Sequence, residues 1–171
     1  MRIFVIDASV VTCWFLPTPD RAAAGALLER RWTYMAPESL VVELGRVLER
    51  ALRRGRLLPG QARDLVATLT GIAVDTVPCQ ALATDAWAIA TCTGLPASDA
   101  LYLTLAARLE TKVLTTSDRL LRGVSPFPAL SALVHDVRAG TSSAEPDQAA
   151  ADTSSDPGRC NGSLTEPSSY R

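Results

Sequence analysis

Short apolar runs alternate with longer stretches whose apolar residues recur at helical spacing, and this alternation limits the possible folds more than any other feature. The runs, rich in β-branched and aromatic residues, are RIFVI (2–6), TYMA (33–36), IAVDTV (72–77) and KVLTTS (112–117). Strands separated by helices form parallel βαβ units, with helices on both faces of the sheet. The pattern predicts an α/β protein, a three-layer α/β/α sandwich around a central parallel sheet of four or five strands.

The stretches between the runs have the spacing and termination signals of helices. We predict helices at 10–16, 21–31, 38–54, 59–69, 79–92 and 98–109, a helical turn at DRLL (118–121), and one further small element within 126–138. The 38–54 helix is typical: its apolar residues recur every third or fourth position, and Gly55 follows it as a C-cap.

Composition and charge change near residue 139. Residues 1–138 hold 15 basic and 13 acidic side chains, whereas residues 139–171 hold 2 and 5 and consist mainly of Ser, Thr, Pro, Gly, Asp and Ala. A segment of that composition does not bury enough apolar surface to order itself. We therefore predict one folded domain over 1–138 and a disordered polar tail over 139–171.

Several classes of protein are excluded by what the chain lacks. The single histidine, His135, rules out Ser–His and Cys–His triads and histidine-rich zinc sites, and the four cysteines have no CxxC spacing. No GxxxxGK[ST] or GxGxxG motif is present. Residues 2–16 have no clear signal-peptide cleavage site, and no run of 18 apolar residues suggests a membrane span. We expect a cytoplasmic protein with no membrane partner.

Two aspartates follow predicted strands. Asp7 interrupts the apolar run IFVIDASVV (3–11), and Asp118 follows the fourth run. A buried carboxylate needs a partner, a metal ion or access to water. In an open parallel sheet ligands bind at the carboxyl ends of the strands, so neighbouring first and fourth strands would bring these two carboxylates together.

Two helices can direct further carboxylates at the same edge. Glu43 lies roughly 60° from the centre of the apolar stripe of its helix, at the border of the buried face. Asp99 lies in the first turn of the 98–109 helix, near the edge of a stripe that contains Tyr102. Both positions allow a carboxylate to approach the end of the sheet.

Each of the four carboxylates also has a purely structural interpretation. Asp7, Asp99 and Asp118 could each cap or stabilise the start of a helix, and Glu43 could pair with an arginine one turn further on. Four crowded carboxylates would repel one another and stay partly protonated, and a divalent cation removes that conflict. Oxygen ligands suit Mg²⁺ or Mn²⁺, which support phosphoryl and phosphodiester chemistry.

The chain resembles the PIN-domain ribonucleases, most closely the VapC toxins of bacterial type II toxin–antitoxin systems. The matching pieces, in order along about residues 1–125, are VIDASV (5–10), PESLVVELGRVLERALRRG (37–55), SDALYLTLAARL (98–109) and VLTTSDRLL (113–121). The resemblance implies Mg²⁺- or Mn²⁺-dependent endonuclease cleavage of RNA, leaving a 5′-phosphate and a 3′-hydroxyl. It also implies a homodimer and a separate antitoxin chain that blocks the site.

The resemblance assigns the acidic quartet of that family to Asp7, Glu43, Asp99 and Asp118, as metal ligands and catalytic groups. It places Ser9 where a hydroxyl helps to hold the metal or a bound water, and Thr116 where a hydroxyl is often near the site. Arg46, Arg50 and Arg119 are candidate RNA contacts, although each could equally belong to a solvated helix face.

Three alternatives stay open. A PIN nuclease of RNA processing would use the same quartet, and a degenerate PIN fold could serve as a binding module that has lost catalysis. A haloacid-dehalogenase-like phosphatase also places an aspartate after its first strand, but it normally needs a second one two residues later, where this chain has Ser9.

Overall fold

A computed structural model describes residues 2–69, 71 and 73–140. Within that part of the chain there are five strands: β1 (Arg2–Ile6), β2 (Trp32–Pro37), β3 (Val74–Val77), β4 (Val113–Thr115) and β5 (Val134–Asp136). The α-helices are α1 (Ala8–Phe15), α2 (Arg21–Leu28), α3 (Ser39–Arg53), α4 (Pro59–Leu69), α5 (Cys79–Thr93), α6 (Ala97–Arg108), α7 (Asp118–Val124) and α8 (Pro128–Ser131). A 3₁₀-helix, Val137–Ala139, follows β5.

The strands form one sheet in the order β3-β2-β1-β4-β5, and every neighbouring pair is parallel. From β1 the chain adds β2 and β3 on one side, then returns to add β4 and β5 on the other. The order therefore reverses between β1 and β4, and in open parallel sheets the crevice outside the strand ends at such a point is where ligands bind. We call this region the β1/β4 crevice.

The helices cover both faces of the sheet. Crossovers between parallel strands are right-handed. When the chain reverses the direction in which it adds strands to the sheet, the connecting helices therefore move to the opposite face. Accordingly α1 packs against α2 and α3, while α5 packs against α6, which lies across β1, β2 and β4. The predicted three-layer sandwich with a parallel sheet is confirmed.

The centre of the molecule is formed by β1, β4 and α6. Val5, Ile6, Val113 and Leu114 are completely buried, as expected for central strands covered on both faces, which read as continuous apolar runs. Helix α6 is buried around most of its circumference, including Leu103 and Thr104. Asp99, which is 5% exposed at the start of this helix, therefore lies in a largely apolar setting and is costly there without a partner.

The predicted elements all occur, with ends shifted by a few residues. Helix α1 begins at Ala8 rather than residue 10, so the chain passes from β1 into α1 through Asp7 alone. The small element expected within 126–138 is a short helix and a fifth strand. Residue 72 of the third predicted strand lies outside the described residues, as does the predicted tail apart from residues 139–140. No helix in the described part is long and apolar enough to cross a membrane.

Candidate active site

Asp7 lies at the end of β1, in the β1/β4 crevice, and only 8% of its surface is exposed. It occupies the N-cap position of α1, but its side chain makes no capping hydrogen bond. Its Oδ2 atom instead accepts hydrogen bonds from Ser9 Oγ at 2.7 Å and from Thr115 Oγ1 at 2.5 Å. Helix capping therefore does not explain this carboxylate.

The two hydroxyl groups that contact Asp7 are themselves held by backbone donors. Thr116 N–H donates to Ser9 Oγ at 3.0 Å, and Ser117 N–H donates to Thr115 Oγ1 at 2.9 Å. Because each hydroxyl oxygen already accepts a hydrogen bond, its own proton is free to point at Asp7. Ser9 therefore contacts Asp7 directly, whereas the second hydroxyl belongs to Thr115, and Thr116 contributes its backbone N–H.

Glu43 faces the crevice from α3. Its Oε1 atom accepts hydrogen bonds from Tyr102 Oη and from Ser39 Oγ, both at 3.1 Å. Within the part of the chain that the structure describes, Glu43 forms no ion pair with an arginine, which was its structural alternative. Burial raises the pKa of Glu43, the negative charges of Asp7 and Asp99 raise it further, and the two hydrogen bonds oppose the shift.

Asp99 approaches from α6, whose N-cap is Pro96 and has no side-chain cap. Its Oδ1 atom accepts a 2.6 Å hydrogen bond from Arg119 Nη2, whereas its Oδ2 atom is buried without a hydrogen-bond partner. Burial raises the pKa of Asp99 and the charge of Asp7 adds to that, while Arg119 opposes it. A buried carboxylate oxygen with no donor is a position that a cation could stabilise.

Asp118 is placed differently from the other three carboxylates. Ser117, not Asp118, caps α7, and the Asp118 side chain is 60% exposed and paired with Arg138 at 2.7 Å. Among the described residues, no three His, Cys, Asp or Glu side chains have the arrangement of a ready-formed metal site. The structure thus couples Asp7, Glu43 and Asp99 electrostatically and leaves Asp118 at the solvent-facing side of the crevice.

The candidate RNA-contacting arginines fall into two groups. Arg46 and Arg50 are exposed on α3, and no ion pair involves either of them within the described residues. Arg119 is the partner of Asp99, with its own side chain 64% exposed. His135 lies on β5, and its Nε2 atom is 3.1 Å from the carbonyl oxygen of Gly140.

Comparison with known proteins identifies the family to which this chain belongs. The PIN domain sequence profile matches residues 4–125, which include all four carboxylates. The chain belongs to the PIN domain family. Members of this family are generally nucleases. The matched segment of the PIN domain ends before β5 and Arg138.

A solved structure has a similar fold to this PIN domain. It is described as a toxin-antitoxin complex from Klebsiella pneumoniae, with a TM-score of 0.51 and 15% sequence identity over 80% of this chain and 98% of that chain. No curated protein sequence matches the chain. At this level of identity the similarity concerns the fold of the two proteins.

We expect Glu43 to make the metal-free PIN domain less stable as the pH rises. Its pKa in the folded chain lies above the ordinary 4.5, so its stabilising contribution is complete below the unfolded value and is lost as pH rises through the folded pKa. Glu43→Gln stays neutral and should exceed the wild type in stability by a margin that grows over that range. Urea unfolding in EDTA at a series of pH values measures the margin.

Glu49→Gln is the matched control for this measurement. Glu49 is an exposed glutamate further along the same helix, where it pairs with Arg53. The stability margin of Glu43→Gln over the wild type should grow with pH more steeply than that of Glu49→Gln. An equal pH dependence in both variants would contradict the assignment of the effect to the crevice.

Proposed function

We propose that this PIN domain is a Mg²⁺- or Mn²⁺-dependent endoribonuclease, the toxin of a VapBC-type toxin–antitoxin system. The observation that carries the proposal is the convergence of Asp7, Glu43 and Asp99 on the β1/β4 crevice, with Asp99 Oδ2 buried and without a donor. Such a set is costly in an inert protein, since the charge of Asp7 disfavours the ionised forms of Glu43 and Asp99.

The donor set suits a hard divalent cation. All candidate ligands are carboxylate oxygens, no histidine or thiolate is among them, and the mutual repulsion of the carboxylates is the term that a dication offsets. Asp7, Glu43 and Asp99 would hold the ion, and Asp118 would join them from the solvent-facing side. An ion bound there would neutralise charge on the scissile phosphate and lower the pKa of a bound water.

The surrounding residues have separate tasks in this proposal. Ser9 and Thr115 fix one oxygen of Asp7, and Tyr102 fixes Oε1 of Glu43, so that both carboxylates are oriented before any ligand arrives. Because Glu43 Oε1 accepts the hydrogen bonds from Tyr102 and Ser39, Oε2 is the oxygen that would face the ion.

The substrate is proposed to approach along α3. Arg46 and Arg50 lie one turn apart on the exposed side of the helix that carries Glu43, and neither is neutralised by a carboxylate in the described structure. Guanidinium groups in such positions bind phosphates regardless of base sequence. Arg119 would add a contact beside Asp99, since most of its side chain is open to solvent.

The partners of the proposed toxin are an antitoxin and a second copy of the chain. The similar solved structure is described as a toxin-antitoxin complex, which supports a separate antitoxin chain as the regulator of this site. A homodimer is part of the same proposal and follows from the resemblance to VapC toxins.

The test is cleavage of total cellular RNA by the purified full chain. Fragments should form with Mg²⁺ or Mn²⁺, disappear with EDTA and return when metal is restored in excess. End analysis should show 5′-phosphates. A folded protein, free of any bound partner, that cuts no RNA with either metal would overturn the proposal, and cleavage unaffected by EDTA would overturn its metal dependence.

A further inference from the structure

The last described elements, β5 and the 3₁₀-helix after it, lie beyond the segment that the PIN profile matches. They carry an arginine held firmly by one aspartate. Arg138 Nε donates to Asp136 Oδ1 at 2.8 Å, and its Nη2 donates to Asp136 Oδ2 at 2.9 Å. Arg138 N–H also donates to Asp136 Oδ1 at 3.0 Å. This bidentate geometry fixes the plane of the guanidinium group.

The same guanidinium reaches the fourth carboxylate of the proposed site. Arg138 Nη2 donates to Asp118 Oδ1 at 2.7 Å. The Asp118 side chain is 60% exposed, whereas that of Arg138 is only 32% exposed. An exposed aspartate without such a partner samples several rotamers. Binding a ligand then reduces the conformational entropy of that side chain, which weakens the affinity.

The location of the pair connects it to the β1/β4 crevice. Asp136 is opposite Thr115 in the parallel register of β4 and β5, and Thr115 donates to Asp7. Asp136 and Arg138 therefore lie at the same edge of the sheet as the other carboxylates, one strand further along. The bidentate Arg138–Asp136 pair, whose side chains are 32% and 29% exposed, can stabilise the fold by itself. The contact to Asp118 involves an aspartate that is 60% exposed, and single pairs of that kind contribute little to stability.

We propose that Arg138 is a positioning residue that orients Asp118 for cation binding, and that Asp136 affects the site only by holding Arg138. This inference rests on the proposed function, because it takes Asp118 as a ligand of the divalent cation. Residues that orient a metal ligand typically change metal affinity by about 10- to 100-fold when they are replaced. We expect Arg138→Gln to weaken Mn²⁺ binding by that factor and Asp136→Asn to weaken it in the same direction.

The test is Mn²⁺ binding to the metal-stripped full chain, measured as free Mn²⁺ by electron paramagnetic resonance. The matched control is Arg122→Gln, because Arg122 lies one turn after Asp118 on α7 and forms no ion pair within the described residues. Both arginine variants lose one positive charge near the site. A general electrostatic effect would tighten Mn²⁺ binding in both, whereas loss of positioning weakens it only in Arg138→Gln.

Two combined variants test the order of action. Adding Asp136→Asn to Arg138→Gln should cause no further loss, since Asp136 acts through Arg138. In an Asp118→Asn background, Arg138→Gln should have no effect on Mn²⁺ affinity. Arg138→Lys keeps the charge and loses the bidentate contact, so its Mn²⁺ affinity should lie between those of the wild type and Arg138→Gln.

The outcomes separate this inference from the proposed function. If the wild type binds no Mn²⁺, or if Asp7→Asn binds it as tightly as the wild type, the proposed function fails and the inference with it. If Asp7→Asn loses binding while Arg138→Gln binds as tightly as the wild type or more tightly, the positioning role alone is overturned. An undiminished effect of Arg138→Gln in the Asp118→Asn background overturns it as well.

Discussion

Replacing Asp7 with Asn should lower the rate of metal-dependent RNA cleavage by at least about 1,000-fold while the protein stays folded. Asp7 is the carboxylate at the end of the central strand β1, and it influences the pKa of both Glu43 and Asp99. The substitution removes the charge that a cation would need. It keeps an oxygen that can accept the hydrogen bonds from Ser9 and Thr115, so the local structure has little reason to change.

Cleavage rates of Asp7→Asn and the wild type, compared at equal Mn²⁺ concentration, measure this loss. Asp64→Asn is the control, because Asp64 is exposed on α4 and lies outside the crevice. Urea unfolding in EDTA should show that Asp7→Asn is at least as stable as the wild type, since a like charge has been removed. Cleavage by Asp7→Asn within tenfold of the wild-type rate would rule out Asp7 as a metal ligand.

Thr115→Val should destabilise the protein by about 1–3 kcal/mol at neutral pH and should also slow cleavage. Thr115 is fully buried, and its hydroxyl links Asp7 to the backbone of Ser117. Valine has a similar shape but provides neither hydrogen bond, so it leaves the partly buried N–H group of Ser117 unpaired and removes one of the two donors to Asp7. Denaturant unfolding and cleavage kinetics measure the two effects.

Two variants define this prediction. Thr115→Ser restores the hydroxyl group and should recover most of the activity, with a smaller loss of stability from the missing methyl group. Thr116→Val serves as the neighbouring control: Thr116 contributes its backbone N–H to Ser9, and valine keeps that group. Equal losses in Thr115→Val and Thr116→Val would show that the hydroxyl of Thr115 has no special part.

The architecture and the position of Asp7 at the end of a buried strand could be anticipated from sequence because they depend on local signals. The alternation of strand-like and helix-like segments indicated the α/β class. An aspartate directly after a buried strand indicated that a site would lie at the carboxyl ends of the strands. The fifth strand was harder to place, because its three residues include His135 and Asp136, whereas the equally short β4 consists of Val113, Leu114 and Thr115, which suit a strand.

The partners of the carboxylates could not be anticipated, because they come from distant parts of the chain. Tyr102 reaches Glu43 from α6, where its sequence context indicated only a core position. Thr115 and Thr116 are adjacent hydroxyl residues, and only the end of β4 decides which of them faces Asp7. Arg138 contacts Asp118 across 20 residues of chain, and no spacing rule links an aspartate at a helix start to an arginine after the next strand.

The pairing of the first strand with the fourth has a consequence for how the protein is made. Strand β1 lies between β2 and β4, and the hydrogen bond from Thr115 to Asp7 joins residues 108 positions apart. Contacts over such separations form late, because a long loop must close first. Nearly all of the domain must therefore leave the ribosome before the crevice can assemble. During most of translation, the carboxylates of the nascent chain stay apart.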